Sequence, residues 1–276
     1  MVGPNDSQSV AELVALALTQ DPENQDYWDT VYLLQSYATL EVFETAKQLC
    51  QSDNARDREL GADLLGQGLV RDKNFPAEKV PILLQILATE EDPNVLSATI
   101  SALGRIGTPE RIDPLLKLVD HLDHEVRYHL AISLSQTDDA RAIEGLIALS
   151  TDPDSHVRDW AMFGLGSQTD VDTPALREAL LARITDTDYN TRCEALVGLA
   201  KRNDPRVLEP LIHELQSDSL GLMVLEAASQ YADSRLCPVL LKLKEKWLGD
   251  EDSHTVSLQD ALVSCGCISQ EASYPS

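Results

Sequence analysis

The sequence predicts an all-α protein built as a stack of helical hairpins. Two observations carry that expectation. A nine-residue motif recurs along most of the chain, and a repeat of this length decides a fold before any other signal. The apolar residues between its copies recur at three- and four-residue steps, one face of a helix rather than the alternation of a strand. With 276 residues, 43% of them hydrophobic and 25% charged, the chain can bury a sizeable core.

The elements follow in order. Residues 1–8 read as a flexible N-terminus, and 9–38 as two capping helices. There Tyr27, Trp28, Tyr32 and Tyr37 stand where internal repeats carry smaller side chains. The motif then runs Arg58 to Gly66, Leu96 to Gly104, Arg127 to Ser135, Arg158 to Gly166, Arg192 to Ala200 and, more weakly, Val224 to Ala232, at intervals of 38, 31, 31, 34 and 32 residues. A fixed motif at variable spacing puts the length changes in loops. Each copy is the second helix of a hairpin. The first helices are Val80 to Leu87, Ile112 to Val119, Ala142 to Leu149, Val207 to Leu215 and, last, Asp233 to Trp247. Acidic turns join the halves: Glu91 and Asp92, Asp120 to Asp123, Asp152 to Asp154, Asp186 to Asp188, and Asp218. Asp123, Asp154 and Asp188 each stand four residues ahead of a motif arginine, placed to cap the second helix and suit its dipole. Residues 39–247 form the repeat array and 248–276 a C-terminal cap and tail, with a short turn over Leu258 to Val263 and a frayed end from Gln270.

An apolar first helix, an acidic turn and a second helix reading roughly Val-Arg-x-x-Ala-x-x-x-Leu-Gly resembles the HEAT-repeat family, in its bacterial phycobilisome-lyase-like form. The resemblance implies a right-handed α-solenoid of stacked HEAT-type hairpins, second helices lining a concave face. It also implies that Arg58, Arg127, Arg158 and Arg192 form the family's Asp/Arg ladder, interrupted at Leu96 and Val224.

Composition narrows the function. The chain has 22 Lys and Arg against 46 Asp and Glu, a net charge of −24. Phosphate binding needs the opposite sign, so nucleic acid is not the expected partner. The first twenty residues lack a basic leader, and the apolar run Val14 to Leu18 is too short for a signal peptide or membrane span. The five cysteines, Cys50, Cys193, Cys237, Cys265 and Cys267, have no framework spacing and read as reduced thiols. The expectation is a cytoplasmic protein without membrane attachment.

Local patterns that look catalytic do not hold up. Asp186-x-Asp188-x-Asn190 opens like a calcium loop, but Thr191 replaces the required glycine and Val197 the final glutamate. Gly164-Leu-Gly166 follows a helix, which reads as close packing rather than a phosphate loop. His124 and His129 are five apart, off one helical face, and a looser metal site at His121 and His124 has little support. Cys265-Gly-Cys267 has none as a chelate. Deoxyhypusine hydroxylase, also built of HEAT repeats, binds iron through His-Glu pairs after the motif arginine. Here those places hold Glu59-Leu60, Ser97-Ala98, Tyr128-His129, Asp159-Trp160 and Cys193-Glu194. The expectation is no enzyme, no metal and no cofactor.

What remains is binding. The helical wheel turns residues 159, 163 and 166 away from a core made by 157, 161, 164 and 165. Equivalent positions are polar in the first repeats, at Glu59, Asp63, Ser97 and Ser101. They become an apolar strip of Ile132, Phe163 and Val197, flanked by Tyr128, His129, Asp159, Trp160 and Glu194. A contiguous apolar strip facing solvent marks a partner site. The acidic edge, Asp120, Asp123, Asp152, Asp154, Asp186, Asp188 and Asp218, suits a partner with a basic surface. The functional expectation is a non-catalytic scaffold or adaptor for another protein, in its sharpest form an inhibitor or immunity-type partner of a basic protein. The alternative class is a bilin lyase subunit.

Overall fold

A computed structural model describes residues 8–37, 39–66, 76–217, 220–247 and 253–269, and among these no strand occurs. The chain divides into two compact units, Met1–Gln136 and Thr137–Ser276. Each is a stack of helical hairpins.

Unit 1 contains α1 (Val10–Thr19), α2 (Gln25–Tyr37), α3 (Leu40–Leu49), α4 (Ala55–Gly66), α5 (Pro76–Thr89), α6 (Pro93–Ile106), α7 (Ile112–Leu116) and α8 (His124–Leu134). The second helices α4, α6 and α8 pack side by side, and α3 and α5 lie against α4 and α6. Local chemistry sets the helix ends. Ser9 and Glu12 close a reciprocal capping box on α1. Asp92 caps α6 with Pro93 in the first turn, and Gly107 ends it at φ 73°. Asp123 caps α8 as its position predicts. The first helix expected over Ile112 to Val119 is shorter: beyond Leu116 the chain tightens, with Leu118 N bonding Leu115 O (2.9 Å) and His121 N bonding Leu118 O (3.0 Å).

Unit 2 contains α9 (Ala140–Leu149), α10 (Ser155–Phe163), α11 (Pro174–Arg183), α12 (Tyr189–Lys201), α13 (Leu208–Leu215), α14 (Leu222–Tyr231), α15 (Cys237–Lys246) and α16 (Ser253–Ser264). Its second helices α10, α12, α14 and α16 pack in sequence, with Asp154 and Asp188 as N-caps of α10 and α12. Two expectations fail here. The short turn over Leu258 to Val263 is part of a twelve-residue helix, α16, whose Leu258, Ala261 and Leu262 are buried. It packs on α14 and so completes a hairpin with α15. Cys237 and Cys267 form a disulfide, Cα atoms 5.3 Å apart, which joins the two ends of that hairpin, while Cys50, Cys193 and Cys265 are free and buried. Spacing could not reveal the pair, because only the fold of α15 against α16 brings position 237 to position 267. The frayed end from Gln270 and the turn residue Asp218 lie outside the described residues.

The motif arginines tie repeats together. Each sends one guanidinium nitrogen into its own preceding turn: Arg58 to Ser52 O and Asp53 O, Arg127 to His121 O and Leu122 O, Arg158 to Asp152 O and Pro153 O, Arg192 to Asp186 O and Thr187 O. Arg58 also reaches onward to Glu90 (2.7 Å), Arg158 to Asp186 (2.8 Å) and Arg192 to Glu214 (3.2 Å), each an acid of the next repeat. The ladder is thus mixed, with glutamate at the end of a first helix in two of these junctions. Leu96 and Val224, where it is interrupted, are buried in the apolar core. Small residues close the stack: any side chain at Gly66 would lie 2.4 Å from the Cβ of Ala102 on the adjoining helix.

Candidate functional site

The exposed side of the second helices differs between the units. In unit 1 it forms a polar cleft. Tyr27, fully buried on α2, donates a 2.7 Å hydrogen bond to Asp63 Oδ2 on α4, and Gln35 Nε2 reaches the Asp63 carbonyl. Arg56 stacks over the Tyr27 ring at 4.6 Å, pairs with Glu59 at 2.8 Å and caps the carbonyls of Ala17 and Gln20. Burial raises the Asp63 pKa to about 6, against the opposing pull of the Tyr27 hydrogen bond and the Arg105 charge. Trp28 donates its indole N–H to Pro22 O (2.9 Å), and the Arg105 guanidinium lies 5.6 Å from the Trp28 ring centre. Ser101 Oγ is 2.9 Å from His129 Nδ1 on α8, and burial together with Arg105 lowers the His129 pKa to about 4, so the ring is neutral at neutral pH.

Of the residues that the sequence places on the binding face, Tyr128, His129 and Ile132 belong to unit 1 and are half-buried. Tyr128 meets His129 edge-on, ring centres 5.3 Å apart. The others belong to unit 2. There Trp160 and Phe163 are half-buried and pack edge to face, ring centres again 5.3 Å apart, with half-buried Asp159 on the same helix.

Two residues of the expected strip do not face solvent. Val197 is 2% exposed and Glu194 6%. Their helix, α12, is hemmed by α10, α11 and α14, so its outward stripe is covered. Glu194 accepts a 2.6 Å hydrogen bond from Ser167 Oγ. Burial raises its pKa to about 7 against that hydrogen bond, helped by the charges of Asp159 and Glu226. Val197 lines a small hollow with Ser167, Lys201, Glu226 and Gln230.

The wheel also fails at Gly166, expected to point outward but buried, where a Cβ would lie 2.5 Å from the Glu194 carbonyl oxygen. The cause is a π-helical turn over Gly164–Gln168, which follows α10 and inserts a residue into the helical phase. Arg202 is 8% exposed and satisfies that turn, donating to Leu165 O, Thr169 O, Val171 O and Gly198 O at 2.8 to 3.0 Å. Arg202 and Arg105 lie just outside the repeated motif, each following the end of a copy within one or two residues.

The acidic edge is largely committed internally. Asp123, Asp154 and Asp188 cap helices. Asp152 is buried and accepts from Asp154 N. Asp186 is desolvated, yet its hydrogen bonds from Arg158 and the Asp188 backbone hold its pKa below the ordinary value. Asp120 is exposed in the turn after α7. Asp186 therefore ties one repeat to the next through Arg158, and Asp152 bonds within its own turn.

Among the described residues no three His, Cys, Asp or Glu side chains come together as a metal site, and no helix is long and apolar enough to cross a membrane.

Comparison with known proteins agrees with this architecture. The family model for HEAT repeats matches residues 80–166 and 143–232, more than half of the chain. Protein YibA of Escherichia coli K12 is 27% identical over 214 residues, covering 75% of this chain and 76% of YibA. The X-ray structure of E. coli YibA superposes with a TM-score of 0.71 at 22% identity, over 95% of this chain and all of that one. Kap95p, in a structure concerned with its binding to RanGDP, superposes with a TM-score of 0.65 at 17% identity, over 94% of this chain and 40% of its own. The repeated hairpins, the arginine ladder and the family match lead to one conclusion: the chain belongs to the HEAT-repeat family.

Proposed function

We propose that this protein is a non-catalytic repeat scaffold that binds another protein through the exposed side of its second helices. The observation that carries the reading is the Trp160–Phe163 ring pair, half-exposed on α10 with Asp159 beside it. Aromatic side chains that keep part of their surface in water are the groups from which interface centres are made. A net charge of −24 favours a partner with a basic surface, and the helix-capping carboxylates Asp123, Asp154 and Asp188, with exposed Asp120, would steer it. Masking a basic protein is one form such binding would take. The superposition on Kap95p, whose structure concerns binding to RanGDP, fits a repeat surface used for protein recognition.

The test is a photo-crosslinking amino acid placed at Phe163 and, as control, at exposed Glu144 on α9. The expected result is one discrete adduct from position 163 in cells and none from 144. Equal adducts from both positions, or none from 163, would remove this face from the function.

A further inference from the structure

The α15–α16 hairpin is held to unit 2 by different means from the hairpins before it. In α4, α10 and α12 a motif arginine bonds the preceding turn and an acid of the next repeat. The corresponding place in α14 is Val224, and α16 contains no lysine or arginine. Where α14 meets α16 the ladder arginine is therefore missing. Apolar burial remains: Leu258, Ala261 and Leu262 of α16 pack on the helix that carries Leu225, Ala228 and Tyr231. A helix of twelve residues is marginal on its own in water, so α16 depends on that packing and on whatever else holds it in place.

The Cys237–Cys267 disulfide stands where the ladder is missing. Cys237 opens α15. At the other end Gly266 takes φ 70°, its N–H bonds Val263 O (3.0 Å), and the Cys267 N–H bonds Leu262 O (2.8 Å), the paired hydrogen bonds of a Schellman cap on α16. That cap presents Cys267 to Cys237, and the intact bond in turn pins the last turn of α16 to the start of α15. Both cysteines are half-buried, within reach of a thiol from solvent. Cys265, two residues away, is 3% exposed and directs its thiol at Ala228 O on α14 (3.4 Å). Burial pushes that thiol up to about 11, so it stays protonated beside the disulfide and does not attack it. Exchange must come from outside.

We propose that the Cys237–Cys267 disulfide is a redox clasp: a dithiol reductant opens it, and α16 then separates from α14 and uncovers the Cys265 thiol. A thiolate of the reductant attacks one of the two sulfurs, forming a mixed disulfide and releasing the other cysteine, which takes up a proton. The second thiol of the reductant then displaces the remaining cysteine. The dithiol leaves as a disulfide, oxidised by two electrons, and Cys237 and Cys267 end as thiols. With a separation of 30 residues between the bonded cysteines, the cross-link withholds chain entropy from the open form, and its loss favours opening by up to roughly a hundredfold.

The experiment is hydrogen–deuterium exchange by mass spectrometry on the full-length protein, unreduced and after reduction with dithiothreitol. Peptides from α16 should exchange about tenfold or more faster after reduction, with those from α12 unchanged. Once the reductant is removed, Cys265 should react with iodoacetamide, while buried Cys50 and Cys193 stay protected. The double variant Cys237→Ser with Cys267→Ser should show fast α16 exchange without reductant and no response to it, which separates loss of the bond from any other effect of dithiothreitol. If that variant does not fold, the reduced parent carries the comparison, and oxidised glutathione should restore its slow exchange. Equal α16 exchange with the bond open or closed, acceleration of α12 together with α16, or a free Cys237 in the unreduced protein would overturn the clasp. None of these results bears on Phe163, so the protein-binding reading stands or falls separately.

Discussion

The two units use one repeat to build two different faces. In unit 1 the outward positions of α4, α6 and α8 carry Glu59, Asp63, Ser97, Ser101 and Glu125, and the result is a charged cleft that Trp28 also lines. In unit 2 the corresponding helices carry Trp160 and Phe163, while Glu194 and Val197 are buried. The lesson is that a repeat secures the inward face, where Leu, Ala and Gly recur, and leaves the outward face free to vary. Burial of an outward position then depends on how closely the neighbouring helices approach.

The largest way to break the comparison is at the π-helical turn that unit 2 has and unit 1 lacks among its described residues. Arg202→Met leaves the carbonyls of Leu165 and Val171 without this donor, while Thr169 O keeps its hydrogen bond from Lys201 Nζ. At about 1–3 kcal/mol for each buried unsatisfied group, the loss should be roughly 4 kcal/mol in urea unfolding. Arg202→Lys should recover only part of it, since an ammonium cannot span four carbonyls. A loss below about 1 kcal/mol would mean that water replaces the guanidinium without penalty.

The next sharpens the boundary between core and face. Leu165 is fully buried and Phe163 half-buried on adjoining turns. Leu165→Ala should cost about 2–5 kcal/mol in stability, and Phe163→Ala clearly less than the roughly 3–5 kcal/mol of a core phenylalanine. For partner binding the order should reverse, with Phe163→Ala weakening it by about 2 kcal/mol or more. Equal stability losses would return Phe163 to the core and dissolve the distinction.

Protonation separates the units by pH. Glu194 has its pKa raised from 4.5 to about 7, and Asp63 from 3.8 to about 6. A carboxyl raised on folding binds its proton more tightly in the native state, so its stabilising contribution is full below the unfolded value and lost as pH rises through the folded one. Stability tied to Asp63 should fall between about pH 4 and 6, and that tied to Glu194 between about pH 4.5 and 7. Glu194→Gln should therefore match the parent near pH 4.5 and exceed it by on the order of 3 kcal/mol at pH 8, in denaturation across that range. Ser167, Asp159 and Glu226 face this group. A flat difference between variant and parent would show that Glu194 ionises freely.

The smallest effect is a count. Unreduced, denatured protein should expose three thiols, Cys50, Cys193 and Cys265, with Cys237 and Cys267 joined. Five thiols would restore the reading from spacing.

Much of the fold was legible because its causes are local. The caps at Asp123, Asp154 and Asp188 act within three residues, and the period of apolar positions is a property of one helix. The ladder arginines were legible too, since each bonds its own turn five and six residues back. The burial of Glu194 and Val197, two of the eight residues expected on the binding face, was not. The wheel assumed an unbroken α-helix through Gly166, and it treated α12 as if nothing lay over Val197.

The sequence by itself determined the all-α class, the hairpin repeat, its capped helix starts and the polar character of Glu59, Asp63, Ser97 and Ser101. Those are decided by hydrogen bonds and side chains within a few residues of one another. Only the tertiary structure decided that Trp28 lines one cleft with those polar groups, that Glu194 is buried and raised to about 7, and that Cys237 meets Cys267. Each of these depends on the distance and angle between helices far apart in sequence. Those are set by the small side chains at their contacts and by one π-turn, whose effect on phase no periodicity in the sequence records.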